Sequence, residues 1–298
     1  MDLPQSIATI GGQLDRDETI VAAPELLSGA DVFAAERQRL FLRPWVAVDH
    51  HSRLEAPGRY VRVEAATRSI LLVRDGEGGL RALRNVCIHA GYPVCEAEEG
   101  PAERLICPYH GWEFAADGRL MEPDLSSRID PARLRLASHP VAIRDGLIFV
   151  DPSNAPSAET SDPPITAGVV PSWLKNGKVT SRPRCSVDWN WKLALQFIRS
   201  SPHLFCDDPD EDDVVVFGPL SMMFAQPGRA TLLRVIPKSA ARTDIQLIYM
   251  AANDTSHNDG SDQLANGLRK VADAEAGAGL VALDRSFFSW YWPLMSAG

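Results

Sequence analysis

The sequence predicts an α+β protein in which a small antiparallel β domain precedes a second domain of antiparallel sheet and helices. Three observations support this class. Residues 43–151 contain short β-rich runs separated by Asp-Gly turns. Residues 152–166 are rich in Pro, Ser and Ala, which is a linker composition. Residues 167–298 combine strand-length apolar runs with helical segments.

Composition limits the function classes that need considering. The 298 residues suffice for about two domains, and contents of 45% hydrophobic and 23% charged residues are typical of globular proteins. A net charge of −9 argues against general affinity for nucleic acid or anionic membranes. No apolar run approaches the roughly 20 residues of a membrane span, and the first residues lack a secretory signal. We therefore expect a cytoplasmic protein with no nucleic-acid or membrane partner.

The elements of the first half follow from local patterns. The N-terminal segment, 1–42, is expected to contain an amphipathic helix over 31–42. Residues 69–73 and 147–150 are predicted strands because they are short runs of branched and aromatic side chains. The predicted hairpin turns are Asp75-Gly76, Asp117-Gly118 and Asp145-Gly146.

The second half begins with a predicted helix over Trp189–Ile198, whose large apolar side chains recur at helical spacing. Pro202 is expected to lie beyond its end, since proline lacks an N–H and clashes with the preceding turn. The other predicted elements are strands at 214–217, 221–225, 230–236 and 245–250, a polar loop at 253–262, and helices at 263–274 and 283–295.

Two short motifs carry the clearest chemical information. Cys87-Ile88-His89 is followed, after seventeen residues, by Cys107-Pro108-Tyr109-His110. Each motif offers one thiolate and one imidazole. Two cysteines and two histidines are the ligands of a Rieske [2Fe–2S] cluster, in which the cysteines hold one iron and the histidines the other. The motifs therefore predict a one-electron carrier.

Zinc is the alternative for the same four residues. Zinc sites usually pair cysteine with cysteine and histidine with histidine, whereas each motif here is mixed. The five cysteines are an odd number in a chain without an export signal, which does not indicate a disulfide framework. The pattern favours the iron–sulfur cluster.

The surroundings of both motifs resemble the Rieske domain of ring-hydroxylating and demethylating oxygenase α-subunits. The resemblance rests on Asn85–His89, Cys107–Phe114 and Asp117–Leu120, and extends from about residue 33 to residue 150. Respiratory Rieske proteins carry a further disulfide-linked cysteine in each loop, whereas Cys95 has no counterpart near Cys107. One departure is Ala90, where these oxygenases usually have arginine.

The same resemblance implies a helix-grip-like catalytic domain with a mononuclear Fe(II) held by two histidines and a carboxylate. Compared with that family, we expect the domain over 167–298 to be shortened. Asn190-Trp191-Lys192 matches the start of the family pattern, and His203 falls on its first iron-ligand position. Two positions depart from the pattern. Ser200 replaces the acidic residue that bridges neighbouring subunits, and Asp208 replaces the second histidine.

Three interpretations of this degenerate site stay open. Iron binds through His203, Asp208 and a carboxylate such as Asp259, or with His257 as a substitute. Alternatively, the site is empty and the chain is a structural or electron-relaying subunit. In the third interpretation, His203 is an ordinary buried histidine and Asp208 belongs to an acidic loop over 207–213.

The resemblance implies a terminal oxygenase component that uses O2 and NAD(P)H-derived electrons to hydroxylate or demethylate a small organic substrate, expected to be aromatic. The alternative is a catalytically incomplete electron-transfer or structural partner subunit. The implied partners are a ferredoxin or flavin reductase, a small-molecule substrate, and either two further copies or a complete oxygenase subunit in a hetero-hexamer. Met222, Met223, Phe224 and residues 287–292 are candidates for lining a substrate pocket, with core packing favoured for most.

Overall fold

The chain forms two compact units, and one of them is made of two segments that are distant in the sequence. The computed structural model describes residues 3–16, 23–42, 45–121, 134–153, 163, 165, 167–204, 213–252, 283 and 285–296. One unit comprises Pro44–Pro163, and the other joins Met1–Arg43 to Pro164–Gly298. The N-terminal segment therefore groups with the C-terminal half of the chain.

The unit Pro44–Pro163 is built from short antiparallel strands. Its described strands are β1 (Val46–His50), β2 (Arg59–Ala65), β3 (Arg68–Arg74), β4 (Leu80–Arg84), β5 (Glu99–Pro101), β6 (Leu105–Ile106), β7 (Glu113–Phe114), β8 (Ser138–His139), β9 (Val141–Arg144) and β10 (Leu147–Val150). They form a five-stranded sheet of order β5-β2-β3-β4-β8, a three-stranded sheet of order β1-β10-β9 and the ribbon β6-β7. The predicted small antiparallel β domain is confirmed.

Strand β3 explains why residues 69–73 form a continuous apolar run. Ile70 and Leu72 point into a core that also contains Val63 and Ile148. Leu71 and Val73 point into a second core, which contains the two motif cysteines. Because successive side chains of a strand alternate between faces, a strand buried on both faces needs apolar residues at every position.

The turn between β9 and β10 is the tight hairpin that the sequence predicts. Arg144 pairs with Leu147, so Asp145 and Gly146 alone make the loop. Both have positive φ, +50° and +89°. This left-handed conformation at both positions defines the type I′ turn, which favours Asp-Gly because glycine has no Cβ to clash.

The second unit combines one antiparallel sheet with helices. Its described elements are α1 (Gln5–Asp15), α2 (Glu25–Ser28), α3 (Ala30–Glu36), β11 (Lys178–Ser181), β12 (Arg184–Val187), α4 (Trp191–Ser200), β13 (Val214–Val216), β14 (Ser221–Gln226), β15 (Arg229–Ser239), β16 (Arg242–Ala251) and α5 (Arg285–Ser296). The sheet has the order β11-β16-β15-β14-β13, and β12 also pairs with β16. The second domain of the predicted α+β class is confirmed.

Two predicted helices differ from the structure in detail. The helix expected over 31–42 is α3 followed by a π-helical turn, Arg37–Phe41. Helix α4 begins at Trp191 rather than at Trp189, because the Asn190 side chain accepts a hydrogen bond from the Lys192 N–H at 3.0 Å and caps the helix. The helix expected over 263–274 lies outside the described residues.

The helix α5 packs closely on α1. A Cβ atom at Gly11 would lie 2.3 Å from the Trp292 ring, so only glycine permits this approach. Phe287, Phe288 and Tyr291 are fully buried in the same helix. Met222, Met223 and Phe224 are also buried, in β14, which agrees with core packing for these pocket candidates.

None of the described helices is long and apolar enough to cross a membrane.

Candidate functional site

The two motifs that begin at Cys87 and Cys107 form loops that close in the same way. The Cys87 N–H donates to the Tyr92 carbonyl at 2.7 Å, and the Cys107 N–H donates to the Trp112 carbonyl at 2.9 Å. Four residues after each cysteine, a glycine N–H donates back to the cysteine carbonyl, at 2.9 Å from Gly91 and 3.0 Å from Gly111.

The two glycines have matching backbone conformations, with φ of +76° at Gly91 and +73° at Gly111. Other residues are strained in this region, so glycine makes both turns possible. The common Cys-x3-Gly spacing was the sequence signal for this likeness. Chain folding therefore produces two similar loops that present one thiol and one imidazole each.

The four side chains separate into an inner and an outer pair. Cys87 and Cys107 are 3% and 2% exposed and lie in one core. Their thiols are close enough to hydrogen-bond with each other. His89 and His110 are exposed, and their ring centroids are 4.6 Å apart. A two-iron cluster with one iron on each pair would thus have its thiolate side buried and its imidazole side at the surface.

The environment of Cys87 suits a buried thiolate ligand. Burial raises the pKa of the Cys87 thiol, and the backbone N–H groups of His89 and Ala90 oppose this rise by donating to the sulfur. These donors belong to the backbone, so replacing the usual arginine by Ala90 leaves them in place. A metal ion would add the charge that completes deprotonation.

Aromatic side chains fix the outer face. The His89 ring stacks on Trp112 at 4.7 Å with an interplanar angle of 13°. Tyr92 stacks on Tyr109 at 4.0 Å, which joins the two loops at their tips. Among the described residues of this unit, the exposed large apolar side chains are Ile88, Tyr92, Ile106, Tyr109, Met121 and Ile143.

Asn85 anchors the first loop from inside. Its Oδ1 accepts the N–H groups of Val94 and Cys95, both at 2.9 Å. Its Nδ2 donates to the Cys95 carbonyl at 2.8 Å and to the Ser69 hydroxyl at 3.1 Å. The buried amide therefore replaces backbone pairing where the chain leaves the loop.

Cys95 belongs to the same buried core as Cys87 and Cys107. It is buried, and the Tyr60 phenol hydrogen-bonds to its sulfur. Burial, together with the Cys95 charge, raises the pKa of Tyr60 to about 12. Burial also raises the pKa of the Cys95 thiol, which interacts electrostatically with Cys107. Sequence reasoning treated Cys95 only as an unpaired cysteine, and its separation from Tyr60 offered no motif.

The donor set fits a diiron cluster better than zinc. Zinc requires four donors around one ion. Within the described ranges, no three His, Cys, Asp or Glu side chains are grouped to hold a single ion. In a Rieske cluster each iron takes only two protein ligands, which matches the separate thiol and imidazole pairs.

The predicted mononuclear iron site is only partly visible. Asp208, Asp259 and His257 lie outside the described residues. His203 is exposed in a short 3₁₀ turn, Pro202–Leu204, so its interpretation as a buried core histidine is wrong. Ser200 is exposed, and its hydroxyl donates to the Phe197 carbonyl of its own helix at 3.0 Å.

Comparison with known families and curated proteins identifies the first unit. The Rieske [2Fe-2S] domain family matches residues 44–138. The glycine betaine monooxygenase oxygenase subunit of Pseudomonas aeruginosa is 25% identical over 210 residues, which cover 70% of this chain and 49% of the relative. The corresponding subunit of Chromohalobacter salexigens is 30% identical over 175 residues, 58% of this chain and 39% of the relative. The chain thus spans about half the length of the curated relatives it matches.

Solved structures extend the likeness to both units. The quaternary ammonium Rieske monooxygenase CntA in complex with L-carnitine has a TM-score of 0.69 at 20% identity, covering 92% of this chain and 93% of the other. Naphthalene 1,2-dioxygenase from Rhodococcus sp. has a TM-score of 0.65 at 17% identity, covering 98% of each chain. The chain therefore carries a Rieske [2Fe–2S] domain within the fold of the Rieske oxygenase α-subunits.

Proposed function

We propose that this chain is the terminal component of a Rieske non-haem iron oxygenase, with Cys87, His89, Cys107 and His110 as its cluster ligands. The supporting observation is the pair of matched loops, with buried thiols and exposed imidazoles. When bound, the cluster supplies single electrons. We assign electron entry to residues 43–151, substrate oxidation to 167–298 and a connecting role to 152–166.

In this proposal the protein's own groups divide the work. The backbone donors of His89 and Ala90 stabilise negative charge on the Cys87 sulfur. The Trp112 ring holds the His89 imidazole in one orientation at the surface. The exposed apolar side chains Ile88, Tyr92 and Tyr109 surround the imidazoles and offer a contact area for a ferredoxin or flavin reductase that carries electrons from NAD(P)H.

A pair of histidine substitutions tests the ligand assignment. His110→Ala should abolish the visible absorption of the [2Fe–2S] cluster, because one iron loses a ligand. His203→Ala is the matched control and should retain that absorption in full. Survival of the spectrum in His110→Ala would contradict the assignment.

We assign His203, Asp208 and Asp259 to a mononuclear iron. A complete protein should then contain about three irons and two acid-labile sulfides per chain, and His203→Ala should remove one iron without changing the sulfide content. Unchanged turnover in His203→Ala would show that this residue is not a catalytic ligand.

A second candidate function is an incomplete electron-transfer or structural subunit. It is favoured by Ser200, whose hydroxyl turns back onto its own helix where the family pattern has a bridging acid. The expected content is then about two irons per chain. Activity should appear only after mixing with a complete oxygenase subunit, and light scattering should report a hetero-hexamer rather than a homotrimer.

The relatives suggest which substrates to test first. The glycine betaine monooxygenase subunit of Pseudomonas aeruginosa matches this chain over 210 residues. The large oxygenase component of a naphthalene 1,2-dioxygenase system, also from Pseudomonas aeruginosa, matches it over 90 residues. We therefore place oxidation of an N-methyl group before ring hydroxylation. The protein, prepared from a cytoplasmic extract and reconstituted with NADH, O2 and a reductase, should release formaldehyde from glycine betaine. Hydroxylation of naphthalene without formaldehyde release would reverse this order.

A further inference from the structure

A run of ring contacts crosses the two ligand loops. Its five members follow one another in the order Trp112, His89, His110, Tyr109 and Tyr92. The centroids of successive rings are 4.7, 4.6, 3.9 and 4.0 Å apart. His89 and Tyr92 belong to the first loop, and the other three rings belong to the second. The two imidazoles therefore lie in the middle of the run, and each has a further ring beside it.

Two of these contacts are stacked, and both join one loop to the other. His89 stacks on Trp112 with an interplanar angle of 13°, and Tyr92 stacks on Tyr109 with an angle of 16°. Each stack includes or adjoins one imidazole, because Trp112 contacts His89 and Tyr109 contacts His110. Moving the loops apart would break both stacks. The imidazole pair is thus flanked by two contacts that oppose opening of the loops.

Core packing does not account for the tyrosine stack. Tyr92 and Tyr109 are 46% and 50% exposed, so solvent reaches about half of each residue. The inner ends of the loops, by contrast, are held by the core that contains Cys87 and Cys107. The hydrogen bonds that close the loops run within each loop and do not act between them. At the outer ends, side-chain contacts therefore set the distance from one loop to the other.

We propose that Tyr92 and Tyr109 are positioning residues whose stack clamps the two loops together, keeps both imidazoles on their iron and slows the release of that iron. The imidazole side of the site is exposed and the thiol side is buried, so iron leaves from the imidazole side. For iron to leave, His110 must move away from His89, and Tyr109 moves with it. Opening therefore costs the energy of the tyrosine stack. This inference rests on the proposed cluster ligands.

Transfer of iron from the full-length holoprotein to the Fe(II) chelator ferrozine tests the proposal. The protein is reduced with dithionite, and the decay of the electron paramagnetic resonance signal reports the cluster alone. Tyr92→Leu keeps an apolar side chain and removes the ring, so the signal should decay about twofold to tenfold faster, the factor that an aromatic pair contributes. Tyr92→Phe keeps the stacked ring and should restore the wild-type rate.

Further variants separate the clamp from a general effect of changing the surface. Tyr109→Leu should also speed the decay. Tyr92→Leu combined with Tyr109→Leu should match Tyr109→Leu alone, because the stack can be lost only once. Met121→Ala is the matched control, since Met121 is 46% exposed, like Tyr92, and lies outside both loops. It should keep the wild-type rate.

The contrary outcomes are distinct. Equal decay rates in the wild type and Tyr92→Leu would overturn the proposal. So would equally fast decay in Tyr92→Phe and Tyr92→Leu, since the hydroxyl rather than the stacked ring would then be responsible. Effects of Tyr92→Leu and Tyr109→Leu that multiply in the double variant would show that the two rings do not act through one contact. A wild-type protein without a [2Fe–2S] signal would instead refute the ligand assignment on which the inference rests.

Discussion

His139 is a buried histidine whose ionisation is coupled to folding. It lies in β8, and its Nδ1 is 3.1 Å from the Asp151 carbonyl oxygen. Because a carbonyl only accepts, Nδ1 carries the hydrogen in the neutral ring. Among the described residues, Nε2 is buried without a hydrogen-bond partner. Burial, followed by the charges of Arg68 and Arg84, lowers the pKa of His139 below its ordinary value.

This lowered pKa predicts acid sensitivity. The unfolded chain takes up a proton near pH 6.5, whereas the folded protein resists it to lower pH. The contribution to stability is therefore complete above about pH 6.5 and is lost as the pH falls below it. The loss is about 1.4 kcal/mol for each unit by which the two pKa values differ.

Urea unfolding between about pH 5 and pH 7.5 would measure this effect. His139→Asn keeps a donor for the Asp151 carbonyl and removes the titration, so its stability should vary less with pH than that of the wild type. Equal slopes in the wild type and His139→Asn would contradict the prediction.

At the scale of elements, a buried carboxylate joins three helices of the second unit. Glu36 Oε1 accepts from Lys192 Nζ at 2.5 Å and from the Tyr291 hydroxyl at 2.7 Å. Its Oε2 accepts from Trp191 Nε1 at 2.8 Å. Burial lowers the pKa of Lys192, and Glu36 opposes this change. Elements α3, α4 and α5 thus meet at one buried ion pair, whose carboxylate accepts three hydrogen bonds.

Breaking this pair should be costly. Glu36→Gln leaves the Lys192 charge buried without its counter-ion, and we expect a loss of about 3–5 kcal/mol in the free energy of unfolding. Lys192→Met should cost a similar amount. The double variant should cost less than the sum, because neither buried charge then remains.

A double-mutant cycle by urea unfolding checks this coupling. Glu25→Gln makes the same chemical change at the exposed start of α2 and should alter stability by no more than about 0.5 kcal/mol. Strictly additive losses in the Glu36 and Lys192 variants would show that the two side chains do not stabilise each other.

At the scale of the whole molecule, each unit has its own buried interior. Two apolar cores lie on opposite faces of β3 in the unit Pro44–Pro163. The other unit buries the Glu36 network and the side chains of Phe287, Phe288 and Tyr291 in α5. A unit with a separate core can unfold cooperatively by itself, so one transition need not describe the chain.

We therefore expect calorimetry to resolve two unfolding transitions, with cluster absorbance following only the unit Pro44–Pro163. Glu36→Gln should lower the other transition by about 6–20 °C, since the expected loss is about 3–5 kcal/mol and 1 kcal/mol shifts Tm by about 2–4 °C for a unit of about 150–250 residues. The absorbance transition should stay unchanged. A single transition in which heat and absorbance change together, in both proteins, would refute this prediction.

Local features were predictable from sequence. The Asp145-Gly146 turn followed from a conformational preference of two adjacent residues, and the ligand loops followed from short spacings around Cys87 and Cys107. The predicted start of α4 was less accurate. The apolar pattern extends back to Trp189, but the Asn190 side chain caps the helix, which therefore begins at Trp191.

The sequence by itself determined that each motif presents one thiol and one imidazole, because both residues lie within four positions on one loop and backbone hydrogen bonds close that loop. Tertiary structure alone decided which distant side chains meet. Glu36 and Lys192 are 156 positions apart, and Tyr60 of β2 reaches Cys95 in the loop between β4 and β5. Such contacts depend on how elements pack, and no local pattern encodes the neighbour that a buried polar group will find.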